Sequence, residues 1–380
     1  MFNINNGPDI SSDYQKSKPH ILILNSTHGK YPVGIDPWIQ VTARVIESLC
    51  TCDVQMVCST EPIMWNLITY LAGVKGMNIT LIMKCTEDSY GHREYRKILE
   101  EFSLDENRVI PLFLGKKDRK RLKELWRVRD RLALEVTDVV YPVSIRPGGR
   151  LENMLSEKNF KEKVRGDFSI PWTRDTHRPQ YKFENTTFSP LPPGNWLIHW
   201  TRSSKGPWPG EKVCEFFYDL FAYPSCYVRS ASETLIRILK EKVIYGSSWR
   251  MPDGVAAVSF TSLPPEDAIS LMRWRKRFVR YSFEPFGIAI KQDVLVEMGA
   301  REVQYTDQVK HVFHEDRLFF QSPGKIGDWV KEKEWRVRGN LNLSAIKQDD
   351  MVVLVPDKHY LEYFKKKLPP DFRIHTVLKN

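Results

Sequence analysis

The sequence predicts an α/β N-terminal Rossmann-like parallel sheet followed by a C-terminal α+β domain. Three observations carry this reading. Five short apolar runs alternate with helical patterns across the first 150 residues. A proline-rich stretch then interrupts the pattern. After residue 195, short strand patterns and helices follow in mixed order. The implied layout is a polar tail over 1–18, a Rossmann-like domain over 19–150, a Pro-rich connection over 151–194, and an α+β domain with the candidate catalytic residues over 195–380.

PHILILNSTHG reads as a buried strand ending in a polar turn. Asp36 can cap the helix DPWIQVTARVIESL, and Pro37 suits its first turn. DVQMVCST is the next strand, with Ser59 or Thr60 placed to cap EPIMWNLITYLAGVKG, which stops at Gly76. NITLIMK, a charged helix over about 88–102, and RVIPLFLG follow. KKDRKRLKELWRVRDRLALEV and VVYPVSIRPGG complete the domain. The strands do not alternate apolar with polar, as expected of strands covered on both faces.

Ligands of such sheets sit beyond the carboxyl ends of the strands. Ser26, Thr27, His28, Gly29, Ser59 and Thr60 occupy those ends as candidate nucleotide or phosphate contacts. Lys30, Lys84 and Arg146 add positive charge. Neither GxGxxG nor GxxxxGK[ST] is present.

Pro171, Pro179, Pro190, Pro192 and Pro193 argue against a regular helix in the connection, which Trp172 and Phe183 can anchor. Beyond it, NWLIHWTR is a strand with His199 near its end. EKVCEFFYDLFAYPS is a helical pattern, and SASETLIRILKEK is a helix with Ser232 as a possible cap. VIYGSSWR and VAAVSFTSLP read as strands, and YSFEPFGIAIKQDVLVEMGAREVQYTD as strand, helix, strand. DWVKEKEWRVRGNLNLSAIKQDDMVVLVPD ends a helix and continues in strands, and PDKHYLEYFKKKLPP is a closing helix. Polar residues at marked positions are His199, Tyr245, Ser247, Ser259, Thr261, Tyr281, Glu284, Glu332 and Glu334.

The 380 residues are 42% hydrophobic and 12% aromatic, which excludes a disordered chain. The formal net charge of +10 calls for a negatively charged partner or a solvated basic face. RWRKRFVR and the basic run at 116–121 could form one positive track for DNA or RNA. RWRKRFVR could equally clamp a dinucleotide pyrophosphate or form a solvated helix face. Six scattered Cys read as free thiols of a cytoplasmic protein. His311 and His314 lack a complementing ligand set, so no metal is expected. No secretory signal and no spanning apolar run is visible, so no membrane partner is expected. No oligomer is specified.

His199 at the end of an opening strand, then ETLIRILKEKVIYGSS, VSFTSLP and the acidic EKEWR, distantly resembles the ADP-ribosyltransferase-like fold. It is also similar to uncharacterised bacterial families linked with defence. That resemblance implies an NAD-consuming transferase (a glycosyltransferase in the broad sense) or glycohydrolase. His199 would grip the nicotinamide-side ribose, and Glu334 would stabilise the oxocarbenium-like centre. Glu332 would complete an ExE pair, and Tyr281 or Ser259 would fill the middle position. Arg202, Ser259, Tyr245 and Arg280 would contact the dinucleotide. The arrangement requires His199 and Glu334 to face one cleft. A spacing of two puts Glu332 and Glu334 on one face if they share a strand. The alternatives are a nucleic-acid-binding or nucleic-acid-processing protein with a basic surface, and a non-catalytic nucleotide sensor.

Overall fold

The computed structural model describes residues 18–114, 122–174, 177, 179–181, 183, 187–249, 251–307, 312–323 and 329–379. The basic run at 116–121, His311 and nearly all of the polar tail lie outside these residues. The chain divides into two compact units: residues 1–179 with 210–228, and residues 180–209 with 229–380.

Unit 1 alternates strands and helices: β1 (His20–Asn25), α1 (Pro37–Leu49), β2 (Gln55–Ser59), α2 (Ile63–Val74), β3 (Asn78–Met83), α3 (Ser89–Phe102), β4 (Val109–Phe113), α4 (Leu122–Val136) and β5 (Val139–Ser144). Two short helices follow, α5 (Arg150–Leu155) and α6 (Lys158–Lys161), and α7 (Val213–Ala222) joins from later in the chain. The five strands form a parallel sheet in the order β4-β3-β2-β1-β5. Alternate strand residues feed opposite cores. Ile21, Ile23, Met56, Cys58 and Leu81 pack with α1, α2, α3 and α7. Leu22, Leu24, Val57, Ile82 and Leu112 pack with α4, α5 and α6. Burial on both faces explains the missing alternation in the sequence. It also pushes the Cys58 thiol up to about 12.

Local capping departs from the expected pattern. Asp36 stands at the N-cap of α1 but makes no side-chain cap bond. Its carboxylate accepts instead from the Val33 amide, at 2.9 Å, and pairs with His177 at 2.6 Å. Neither Ser59 nor Thr60 caps α2, whose N-cap is Pro62. The Ser59 hydroxyl is fully buried and donates to the Ile82 carbonyl at 2.8 Å.

Unit 2 comprises β6 (Thr187–Phe188), β7 (Trp196–Trp200), α8 (Ala231–Glu241), β8 (Val243–Ile244), β9 (Ala257–Thr261), α9 (Pro265–Ser270), β10 (Trp274–Arg275), β11 (Arg280–Tyr281), β12 (Gly287–Lys291) and α10 (Gln292–Glu297). It continues with β13 (Arg301–Glu302), β14 (Gln304–Tyr305), β15 (Phe320–Gln321), β16 (Glu334–Arg338), β17 (Leu341–Asn342), β18 (Met351–Val355), α11 (Lys358–Lys367), β19 (Ile374–Thr376) and β20 (Leu378–Lys379). Its main sheet runs β13-β16-β9-β7-β12-β18-β19, antiparallel except for β18 with β19. One face carries Leu197, Val258, Phe260, Ile288 and Val337 against α8, α10 and α11. The other carries Trp196, Ile198, Ala289, Val352 and Leu354. Helix α8 is capped by Ser230, which accepts from the Glu233 amide, and not by Ser232. Among the described residues no helix is long and apolar enough to cross a membrane.

Helix α7 reaches unit 1 through a close backbone approach. A Cβ on Gly34 would lie 2.3 Å from the Leu220 carbonyl and 2.8 Å from Pro224. Gly34→Ala is therefore expected to destabilise unit 1 by about 1–3 kcal/mol, measured by urea denaturation. An unchanged midpoint would show that α7 is not held this closely.

Candidate functional site

In an antiparallel sheet, side chains opposite one another point to the same face. Strand β16 pairs with β9 so that Glu334 faces Thr261 and Arg336 faces Ser259. The residues between them, Trp335, Val337, Val258 and Phe260, turn to the helix-covered face. Ser259, Thr261, Glu334 and Arg336 thus share the opposite face. Arg336 is 2% exposed. It donates to Glu334 Oε1 and Oε2, both at 2.9 Å, to the Leu318 carbonyl at 2.7 Å, and to Gln321. The Ser259 hydroxyl adds a bond to Glu334 Oε1 at 2.8 Å. Each oxygen of Glu334 therefore has an internal partner.

Glu332 is different. It ends a short helical turn, and Lys333 turns the chain with φ of 42° before β16 begins. The pair is thus not a continuous strand repeat. The Glu332 carbonyl accepts from the Thr261 hydroxyl at 2.6 Å. Its half-buried carboxylate stands 4.0 Å from the Arg275 guanidinium and makes no hydrogen bond among the described residues. Burial, then repulsion from Glu334, raises its pKa above the usual carboxylate value, and Arg275 and Arg273 oppose the rise. The phenol of Tyr305 joins this polar cluster, and burial and the two glutamates push its pKa up.

His199 lies elsewhere. Ile198 pairs with Thr261, so the next residue along β7 belongs with Phe260 on the helix-covered face. The rings of His199 and Phe260 are 5.7 Å apart. His199 Nδ1 donates to the Ser259 carbonyl at 2.9 Å, which leaves Nε2 as the acceptor of a neutral ring. Burial first, and the Arg202 charge after it, lower the His199 pKa, while the bond to Ser259 opposes them. Neither glutamate acts on it. The pleat places His199 and Glu334 on opposite faces of the sheet.

The expected helix-like basic stretch is a hairpin. Strands β10 and β11 pair Trp274 with Tyr281 and Arg275 with Arg280. Tyr281 is buried and meets Trp274 and Tyr181 edge-on at 5.0 and 5.5 Å, so it roots the hairpin. At the tip, Lys276 and Arg277 are exposed. The Arg280 guanidinium lies 4.7 Å over the Trp249 ring, which is 48% exposed and packs edge-on against Phe278. Exposed Tyr245 lies under Arg237 at 5.5 Å. Glu284, 2% exposed, accepts from the Ser203 amide and the Tyr181 hydroxyl, each at 2.6 Å, and so fixes the loop after β7. Ser247 bridges to Ala257 through its backbone.

In unit 1, Ser26 and His28 lie where β1 and β5 end side by side, with Thr27 exposed between them. Ser26 donates its amide to the Ser144 carbonyl and accepts from the Arg146 amide. His28 stacks on Trp38 at 4.8 Å. Gly29 continues this loop. Ser59 and Thr60 end the neighbouring β2, with the Ser59 hydroxyl spent on Ile82 and the Thr60 carbonyl accepting from Arg129 at 3.0 Å. The parallel sheet is an arrangement consistent with nucleotide binding in general.

No family model and no curated protein matches the chain. A solved structure that does match concerns the single-stranded DNA binding mode of DNA processing protein A from Helicobacter pylori. It has 18% identity, covers 40% of this chain and 68% of that chain, and has a TM-score of 0.29. That protein is not an ADP-ribosyltransferase, and nothing in the comparisons backs that resemblance. The resemblance and the NAD-consuming transferase or glycohydrolase function drawn from it are corrected accordingly; of the cofactor expectation, the parallel sheet supports the coarser statement, nucleotide binding in general. The fold stands as a parallel-sheet unit plus an α+β unit, with His199 and Glu334 on separate faces.

Arg336, Tyr305 and Trp249 were not marked by the sequence. Arg336 had a legible signal, since it sits two residues after Glu334 in the EWR strand. Glu334→Ala is expected to strand the Arg336 charge and cost about 3–5 kcal/mol in denaturant unfolding. A loss below 1 kcal/mol, the size of about a surface pair, would contradict the buried-pair reading. Glu332→Gln is expected to raise Tm at neutral pH, because the ionised carboxylate is penalised in the fold. The wild-type stability present below pH 4.5 is lost as pH rises through the raised pKa, so the gap between the two proteins should close on acidification. A gap independent of pH would refute that cause.

Proposed function

We propose that this chain binds single-stranded nucleic acid, DNA or RNA, through the 274–281 hairpin and the aromatic side chains around it. The observation supporting this is the interleaving of cations and rings at the hairpin tip: exposed Lys276 and Arg277 beside Phe278, and Arg280 over half-exposed Trp249. Single-strand binding needs both parts. Cations neutralise phosphates and release counterions, and ring faces stack on bases that a duplex keeps paired and stacked. The net charge of +10 suits a polyanion. The half-buried carboxylate of Glu332 stands beside Arg275, and burial raises its pKa above the usual carboxylate value.

Fluorescence anisotropy with a labelled single-stranded oligonucleotide, titrated at increasing salt, tests the reading. Affinity is expected to fall log-linearly with salt. Lys276→Ala with Arg277→Ala should reduce the slope by about 0.7 per lost phosphate contact. Trp249→Ala should weaken binding by about 1–3 kcal/mol with the slope retained. Parent-like binding by both variants would overturn the assignment to the hairpin.

A further inference from the structure

Unit 1 contains a place where buried polar atoms lack hydrogen-bond partners among the described residues. From β1 the chain winds outward through β2 and β3 to β4, then crosses to the other side of β1 to form β5. Helices α1 to α3 pack on one face and α4 to α6 on the other. The winding therefore reverses between β1 and β5, and the crevice outside such a reversal is where open α/β sheets hold ligands.

Asn25 and Ser144 end these two strands as register partners and are 6% and 1% exposed. Asn25 Nδ2 donates to the Thr42 hydroxyl at 2.9 Å. Thr42 spends its only hydrogen on the Trp38 carbonyl, at 2.6 Å, so the amide orientation of Asn25 is fixed with Oδ1 left over. Asn25 Oδ1, Ser144 Oγ and Trp172 Nε1 are buried with no partner among the described residues. The three supply an acceptor, a hydroxyl of either role, and a donor. Buried polar groups are ordinarily paired, so such a set asks for a partner from outside the chain. Exposed Arg146, two residues beyond Ser144, lays its guanidinium 5.4 Å over the Trp172 ring. No carboxylate pairs with it among the described residues. Its own amide is tied to Ser26, which joins the two strand ends.

We infer that the β1/β5 crevice of unit 1 binds a nucleoside monophosphate group. Arg146 takes the phosphate, and Asn25, Ser144 and Trp172 take the donor and acceptor edge of the base. A free nucleotide and the terminal nucleotide of an oligonucleotide present the same chemistry. The site lies within unit 1 and does not rest on the hairpin of unit 2.

The test is isothermal titration of the full chain with AMP, GMP, CMP, UMP, inorganic phosphate and a 5′-phosphorylated single-stranded oligonucleotide. At least one mononucleotide is expected to bind more tightly than phosphate. Arg146→Ala and Trp172→Phe, which keeps a ring and deletes the N–H, should each weaken it about tenfold. The Lys276→Ala, Arg277→Ala variant should leave mononucleotide binding unchanged, which separates this site from the hairpin. Binding of the oligonucleotide that survives the hairpin change and is lost with Arg146→Ala would identify a chain terminus as the source. No heat with any mononucleotide at millimolar concentration, or binding equal to that of phosphate, would overturn the proposal. If Trp172→Phe fails to fold, Arg146→Ala decides, because its side chain is exposed; parent-like affinity there would also overturn it.

Discussion

Arg336 is a cation enclosed by a sheet, and the surrounding chain is arranged to satisfy it. A guanidinium cannot shed its charge, so burial demands paired acceptors. Glu334 supplies two oxygens, Leu318 a carbonyl and Gln321 an amide oxygen. Ser259 then completes Glu334 from the neighbouring strand. The β9–β16 register follows, because only one pairing puts Ser259 opposite Arg336. With Glu334 committed to this network, Glu332 is the carboxylate left without a hydrogen bond among the described residues. It faces Arg275 at the base of the basic hairpin.

The hairpin is built the opposite way. Its root is buried through Tyr281 and Trp274, and its tip leaves cations and rings outside. The Arg280 guanidinium over Trp249 gives the cation an attractive ring partner. In unit 1 the equivalent pairing is Arg146 over Trp172.

The sequence made the parallel sheet legible because strands covered on both faces read as unbroken apolar runs. It did not reveal where hydroxyls would go. Ser59 stands one turn before α2 and fits a cap by position, yet its hydroxyl bonds Ile82 on the next strand, a distant partner that local pattern does not encode. Residues 210–228 follow β7 in the chain but pack with α2 and α3 in unit 1, through Phe216 and Phe217. Glu332, Glu334 and the basic-aromatic run were visible as residue types. Their division into a committed and an unbonded carboxylate depended on Arg336 and on the turn at Lys333. The separation of His199 from Glu334 depended on the Ile198–Thr261 register, which joins strands about sixty residues apart in sequence.

The central claim is that a single nucleic-acid strand lies across the hairpin of unit 2. Photocrosslinking with a single-stranded oligonucleotide carrying halogenated pyrimidines, followed by mass mapping of the attached peptides, tests it most directly. Such bases react with stacked aromatic side chains, so crosslinks should fall on Trp249, Phe278 or Tyr245 and disappear at high salt. Crosslinks confined to other surfaces, with these three rings unmodified, would contradict the account.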